Sequence, residues 1–414
     1  AMQPFLFDRQ AGVLSAVLDQ AGQSTVGAAT LDSGETRLCA SSVHDFAAAD
    51  ANGPIRDVSS RGLGANDWSL ESTTAVPVPA PAANGASTEP EVSADGRFVV
   101  FASTATNLDA DAVARASSAD VFWLDRSTEA VERWPLGPAG AVPTGTSGSP
   151  TVSADGRWIA FVSAATNLVP GSSPRTHTYR LDRDTGDIDL ISVGASGTGG
   201  GGDRPQITDD GRAVVFQSSA SDLVAGDTNA MSDVFLWREG AALQRVSVAS
   251  GGAQADAESR LPRIAADGSQ LVFISPATNL AGDSGGLDQV LHLNLLNGVV
   301  RRVSQSAAGE AGDGDSHAAD ISGDGRYVAF ASYATNLMTG GRDGPEVLRW
   351  DAVGGVLVDA AAQLPLDESV YPDIVRISDD GRYVVFVSFR QVGAIFTENV
   401  WRADLQPGVL QLMS

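Results

Sequence analysis

The chain has 414 residues, 51 acidic and 27 basic, for a formal charge of −24; every basic residue is Arg, and Asp outnumbers Glu 39 to 12. Binding to nucleic acid or to an anionic membrane surface needs clustered cations, and the sequence has no such cluster, so both are excluded as partners. An apolar share of 43% is enough to bury a core, no apolar run approaches the roughly 18 residues of a membrane-spanning helix, and a single cysteine, Cys39, excludes internal disulfides and Cys-based zinc clusters.

In chain order, Phe5-Leu-Phe-Asp8-Arg9 leads through a turn at Gly12 to Val17 and reads as a β-hairpin. Leu31–Ser41 follows as a degenerate copy of a motif that recurs below, and Ala75–Ala86, rich in Pro and Ala, reads as a long crossing loop. The motif first appears in full at Ser93-Ala-Asp95-Gly96-Arg97-Phe-Val-Val-Phe101-Ala-Ser103, with the tail Ala105-Thr-Asn107-Leu108. It returns at Ser153–Leu168, Thr208–Leu223, Ala265–Leu280 and Ser322–Leu337, and without the tail at Ser378–Ser388. Its glycines, Gly96, Gly156, Gly211, Gly268, Gly325 and Gly381, are spaced by 60, 55, 57, 57 and 56 residues. With Gly34 of the degenerate copy, this gives seven units.

Each unit reads as four short strands. A first strand ends in an Asp-Gly turn, an alternating second strand follows, and after a Pro/Gly/Asp-rich loop comes a second hairpin such as Tyr179–Ile191. Four antiparallel strands in each of several repeats of this length is the signature of a β-propeller, and the lack of periodic helices excludes parallel βαβ folds. The expected fold is therefore all-β: one propeller over residues 1–414, with seven four-stranded blades, or eight if the first hairpin counts as a partial blade. Residues 1–20 are expected to pair with the C-terminal blade and close the ring, which would spare exposed strand edges.

The Ser-x-Asp-Gly-Arg-x-Val-x-Phe-x-Ser core, together with later strands such as Asp120-Val-Phe-Trp-Leu-Asp125-Arg126, resembles the PD40 (WD40-like) repeats of TolB-type propellers over nearly the whole chain. The resemblance implies a propeller that works as a binding platform, a Tol-system component, a peptidase cap or a lyase. It also implies a periplasmic or extracellular location, with any leader peptide already removed from this chain.

Three sets of residues are candidates for chemistry. Two positions before each repeat Ser lie Glu91, Thr151, Gln206, Arg263, Asp320 and Arg376. Strand alternation puts them on the face opposite the intervening Val or Ile, where an innermost strand borders a central channel; they are ligand-binding candidates or the compensated lining of a wet channel. The start of the second hairpin gives the series Asp57, Asp120, His177, Asp233, Asp288, Glu346 and Asn399, in which His177 breaks the acidic pattern; each reads as a ligand group or a loop cap. Asp227, Asn229 and Asp233 in one loop, and Asp313, Asp315 and His317 in another, offer clustered oxygen and imidazole donors, with calcium the cofactor to expect if any, or else simply solvated turns.

No Gly-x-Ser-x-Gly elbow or His-Glu-x-x-His motif occurs. The leading reading is a non-enzymatic binding or scaffold propeller presenting loops and channel to a protein, peptide or glycan. The alternatives are a lyase or hydrolase at the channel mouth and a calcium-stabilised structural module.

Overall fold

The computed structural model describes residues 83–108, 118–170, 172–194, 200–340, 344–365, 367–392, 395–406 and 408–412, together with the backbone of six strands before residue 71. Among the described residues the only helix is a single 3-10 turn, Pro138–Gly140, and no helix is long and apolar enough to cross a membrane. The chain divides into two compact units, residues 1–211 with 413–414, and residues 212–412.

Unit 1 holds three four-stranded antiparallel sheets, each with its strands side by side in chain order. Sheet 1 comprises Val26–Leu31, Arg37–Ser42, Asp57–Gly62 and Ser69–Leu70. Sheet 2 comprises Ser87–Val92, Phe98–Ser103, Asp120–Asp125 and Ala130–Trp134. Sheet 3 comprises Ser147–Val152, Trp158–Ser163, His177–Asp182 and Ile188–Leu190. Strand Asp203–Ile207 is the last of this unit.

Unit 2 starts with the antiparallel strands Ala213–Ser218, Asp233–Arg238 and Gln244–Arg245, set 4. Sheet 5 comprises Arg260–Ile264, Gln270–Ser275, Gln289–Asn294 and Val299–Arg302. Sheet 6 comprises Ser316–Ile321, Tyr327–Ser332, Glu346–Asp351 and Leu357–Asp359. Sheet 7 comprises Ser369–Ile377, Tyr383–Val392, Ile395–Asp404 and Val409–Leu412. The seven repeat units of the sequence thus map one to one onto strand sets. The expected pairing of residues 1–20 with the last set falls largely outside the described residues; Phe5–Asp8 and Val13–Ala16 pair with each other.

The turn chemistry explains why the repeat folds locally. In sheet 2, Asp95 Oδ1 accepts from Ser93 Oγ (2.7 Å) and Arg97 N (2.9 Å), while Ser93 Oγ accepts from Phe98 N (2.9 Å). Sheets 3, 6 and 7 repeat the Ser–Asp bond at Ser153–Asp155, Ser322–Asp324 and Ser378–Asp380. The glycine that follows sits at a φ of 69–75° in all six full copies, the left-handed region that a Cβ disfavours.

The second strands depart from the alternation expected of them. All six residues of Phe98–Ser103 are buried, as are five of six in the equivalent strands of sheets 3, 5 and 6. These strands lie in the middle of layered sheets, so both faces are covered. In unit 1, for example, Phe98 and Trp123 of sheet 2 pack with Ile159, Phe161 and Tyr179 of sheet 3.

Adjacent sheets within each unit are locked at the Asp-Gly turns. A Cβ on Gly156 would lie 2.0 Å from the Phe98 ring of the preceding sheet, and one on Gly381 would lie 1.9 Å from the Tyr327 ring. Backbone bonds run alongside, from Ala94 N to Ala154 O (3.1 Å) in unit 1 and from Gly323 N to Asp379 O (3.1 Å) in unit 2.

Each turn arginine also closes a stack within its own sheet. Arg97, Arg157, Arg326 and Arg382 bond both carboxylate oxygens of Asp125, Asp182, Asp351 and Asp404 at the end of the third strand. The same guanidinium groups lie 4.5–4.9 Å above the ring of the next residue, Phe98, Trp158, Tyr327 or Tyr383. The bidentate bonds hold the Asp125, Asp182 and Asp351 carboxyls below their ordinary pKa.

Candidate functional site

The first-strand residues take the register expected of them, each opposite the third residue of its second strand: Glu91 opposite Val100, Thr151 opposite Ala160, Arg263 opposite Val272 and Asp320 opposite Ala329. Arg376 faces Val385 in the same way. In unit 2 the structure brings two of them together. Arg263 Nε lies 3.9 Å from Asp320 Oδ1, and Asp320 Oδ2 accepts from the Ile377 backbone N–H of sheet 7 at 3.1 Å. Both side chains stay partly open, at 25% and 15% exposure. Arg376 Nη1 turns instead to its own chain at Val375 O. In unit 1, Gln206 Nε2 donates to Pro205 O, Thr151 is buried, and Glu91 is half-buried.

Beside this row lies a feature with no glycine to announce it. Every described first strand of sheets 2, 3, 5, 6 and 7 shifts register just before the candidate residue. At this bulge Glu89, Ser149, Leu261 and Ala318 have φ of 47–54°, as does Arg204 at 51° in the equivalent strand. Non-glycine residues hold such conformations only where their surroundings fix them. Here the freed N–H groups are met by side chains of the preceding repeat: Ser149 N donates to Glu89 Oε2 (2.7 Å), and Leu261 N to Gln217 Oε1 (2.8 Å).

In the series at the start of the third strand, Asp120, His177, Asp233 and Glu346 are buried and Asn399 is partly buried, while the side chain of Asp57 lies outside the described residues. The pairing corrects one member: Ser275 faces Gln289, as Ser163 faces His177 and Ser218 faces Asp233, so Gln289 and not Asp288 holds the equivalent position. Asp233 Oδ1 accepts from Ser247 Oγ (2.5 Å), and Gln289 Oε1 from Ser304 Oγ (2.7 Å). Fully buried His177 contacts Ser173 Oγ through Nε2 (2.8 Å) and Ser192 Oγ through Nδ1 (3.5 Å). Ser192, Ser247 and Ser304 in turn accept from third-strand backbone N–H groups, so these side chains knit the third strand to the fourth.

The calcium candidates are engaged within the protein. Arg245 Nη1 lies 3.2 Å from Asp227 Oδ1 and 3.5 Å from Asp233 Oδ2, and this buried guanidinium stands between the two carboxylates; burial raises the Asp233 pKa. Nothing in the sequence pattern marks Arg245, which lies on a two-residue strand. Asn229 Nδ2 donates to Ala255 O (3.0 Å). Asp313 caps the Ala334-Thr-Asn tail of its own repeat, accepting from Thr335 N (2.6 Å) and Thr335 Oγ1 (2.8 Å). Asp315 Oδ1 accepts from Asp288 N (2.9 Å), and His317 stands edge-on to Tyr333 at 5.8 Å. Among the described residues no group of three or more His, Cys, Asp or Glu is arranged to hold a metal.

No protein-family model matches the chain, and no curated protein matches it. Solved structures do. The β-propeller domain of the Trilobed protease from Pyrococcus furiosus is similar at a TM-score of 0.57 and 11% identity, over 94% of this chain and 95% of that one. The fold is a β-propeller. A puromycin-hydrolyzing peptidase of Mycobacterium tuberculosis matches at a TM-score of 0.55 and 15% identity, over 94% of this chain but only 53% of its own length. A putative TolB from Agrobacterium tumefaciens matches over 70% of this chain and 86% of that one, at 17% identity and a TM-score of 0.41. The four-stranded antiparallel sheets are the blades of this propeller, as the PD40 resemblance implies.

Proposed function

We propose that this β-propeller is a non-enzymatic binding scaffold, acting outside the cytoplasm on a protein, peptide or glycan ligand. The observation that carries the reading is the Arg263–Asp320 pair of unit 2, partly open and anchored through Asp320 to the backbone of blade 7. Most of the other polar candidates are used up in caps and turns. A partly solvated Arg–carboxylate pair held by the main chain can exchange its weak 3.9 Å contact for hydrogen bonds to an incoming amide, hydroxyl or carboxylate. A charge-assisted bond of that kind gives roughly 1.5–3 kcal/mol.

Peptide and glycan arrays probed with the wild-type chain and with Arg263→Ala and Asp320→Ala test the proposal. Ligands of the wild type are expected to bind these variants at least about tenfold more weakly. Full retention of every ligand by both variants would overturn it. The similarity to solved peptidase structures favours one second reading, a hydrolase; turnover of peptide substrates by the isolated chain would support it and sink the non-enzymatic one.

A further inference from the structure

Blade 5 lacks the stack that blades 2, 3, 6 and 7 carry, and blade 4, with Ala213 and Arg238 in place of the ring and the carboxylate, lacks it as well. Where blades 2, 3, 6 and 7 have Arg and an aromatic residue after the turn glycine, blade 5 has Ser269 and Gln270. Where they end the third strand in Asp, it has Asn294. Three groups are thus missing together: the guanidinium, the ring beneath it and the carboxylate that clasps it. The turn itself is retained, with Asp267 Oδ1 accepting from Ser269 N (2.8 Å) and Gly268 at φ 69°.

A cavity of about 390 Å³ lies at this place, lined by Gln270, His292, Asn294 and Arg301 of blade 5 and by Asp324 and Arg326 of blade 6. His292 occupies the third-strand position from which Arg180 and Arg349 cover the rings of Trp158 and Tyr327 in their own blades, at 4.0 and 4.4 Å. Those arginines also donate to the turn carbonyl of the next blade, at Gly211 O (2.9 Å) and Gly381 O (2.8 Å). With Gln270 in the ring's place, His292 has lost that footing. It is 3% exposed, packed 5.2 Å from Trp350, and neither ring nitrogen completes a hydrogen bond. The Gly325 carbonyl is close enough to favour a charged ring but does not reach bonding geometry, and burial holds the imidazole neutral, its pKa pushed down to about 4. An orphaned polar pair at this depth costs stability unless a partner arrives.

The mouth of the cavity supplies the rest of the recognition chemistry. Arg301 pairs across the strand with His292 and makes no ion pair among the described residues, whereas Arg326 is clasped by Asp351. Val299 and Val353 also line the cavity and are exposed, adding an apolar rim. A largely polar space with an apolar rim at Val299 and Val353, an arginine without an ion pair among the described residues and a neutral imidazole suits a ring that carries an anionic group, which Arg301 would hold on the side away from Asp324. We propose that the vacated stack of blade 5 binds a small planar carboxylate, whose ring takes the place of the absent aromatic side chain, whose carboxylate meets Arg301 and whose edge meets His292.

The chain has four histidines, so imidazole resonances of ¹⁵N-histidine-labelled protein report the site directly. Titration with benzoate is expected to shift the His292 signals saturably in the millimolar range and to leave His177 and His317 in place. Acetate, lacking the ring, and benzamide, lacking the charge, are expected to bind at least about tenfold more weakly. Refilling the stack with Ser269→Arg, Gln270→Tyr and Asn294→Asp together should abolish the shift; if that variant does not fold, Gln270→Tyr alone carries the test. Arg301→Gln should weaken benzoate about tenfold. The proposal is overturned if benzoate leaves His292 unmoved, if acetate or benzamide serves equally well, or if the refilled chain binds as the wild type does.

Discussion

Blades 5 and 6 share four strands, an Asp-Gly turn and a glycine at nearly the same φ, 69° at Gly268 and 71° at Gly325, yet only blade 6 carries the arginine–ring–carboxylate stack. The difference shows that the repeat has two separable parts. The turn is held by local bonds from the Asp side chain to the backbone and survives the loss of the stack. The stack acts outward: its ring fills the space over the turn glycine of the next blade, and its arginine ties the second strand to the third. Where it is missing, as in blade 5, the blade still forms: the Gln270 side chain stands over Gly325, a cavity opens beside it, and neither ring nitrogen of His292 has a hydrogen-bond partner.

The sharpest way to break this comparison is to substitute the glycines that face each kind of blade. Gly381 looks onto Tyr327 of blade 6, where a new Cβ would lie 1.9 Å from ring carbon; Gly325 looks onto Gln270 of blade 5, where it would lie 2.6 Å from a movable amide nitrogen. Gly381→Ala combines left-handed strain with overpacking and is expected to cost about 4 kcal/mol. Gly325→Ala bears mainly the strain, about 1–2 kcal/mol. Urea unfolding distinguishes the two, and equal losses would mean that the ring does not set the blade spacing.

A second effect, in acid, belongs to blade 5 alone. The folded-state pKa of His292 is pushed down to about 4, below an unfolded value near 6.5. For a base held neutral, stability is complete above about pH 6.5 and is lost as pH falls toward 4, by about 3 kcal/mol in all. His292→Gln should remove this component of the pH dependence, measured as unfolding midpoint against pH.

Blade 6 has a counterpart of the same sign at lower pH. Its Asp351 carboxyl is held below the usual range by Arg326, so the stabilisation is present above the unfolded carboxylate pKa, roughly 3.9, and is lost as pH falls below that toward the lower folded value. Asp351→Asn should flatten the fall of the stability curve in strong acid and lower it by a constant amount between pH 5 and pH 7, a window set by the ordinary carboxylate and histidine ranges of about 4 and 6.5. The smallest effect is expected from building the missing clasp into blade 5. Ser269→Arg with Asn294→Asp creates a largely exposed pair and should stabilise by about 0.5 kcal/mol or less in thermal melts.

The blades were legible in the sequence because turn chemistry is local: Ser, Asp and Gly at fixed spacing make the same bonds in each repeat, and the period follows from them. The bulges were not, because Glu89, Ser149, Leu261 and Ala318 share no residue type that signals a positive φ. They are fixed by the neighbouring repeat, through Glu89 and Gln217, which a single strand's pattern does not reveal. Asp288 stands one residue before the equivalent position, Gln289, since the preceding loop varies in length and only pairing with Ser275 sets the register. Arg245 carries no sequence signal because its two carboxylates come from one stretch and its guanidinium from another. His292 reads in the sequence as an ordinary strand residue. Its partner, however, is absent through changes at Ser269 and Gln270, and that signal lay in the sequence as a departure from the repeat.

The central claim, that blade 5 has lost its stack and left His292 buried without a partner, is tested most directly by following the His292 imidazole through a pH titration by NMR. The account predicts a neutral ring down to a midpoint near about 4, moving in the refilled Ser269→Arg, Gln270→Tyr, Asn294→Asp chain as a new ring and cation close over it. A His292 that titrates near 6.5, as a solvated histidine does, and is indifferent to the refilling would contradict it.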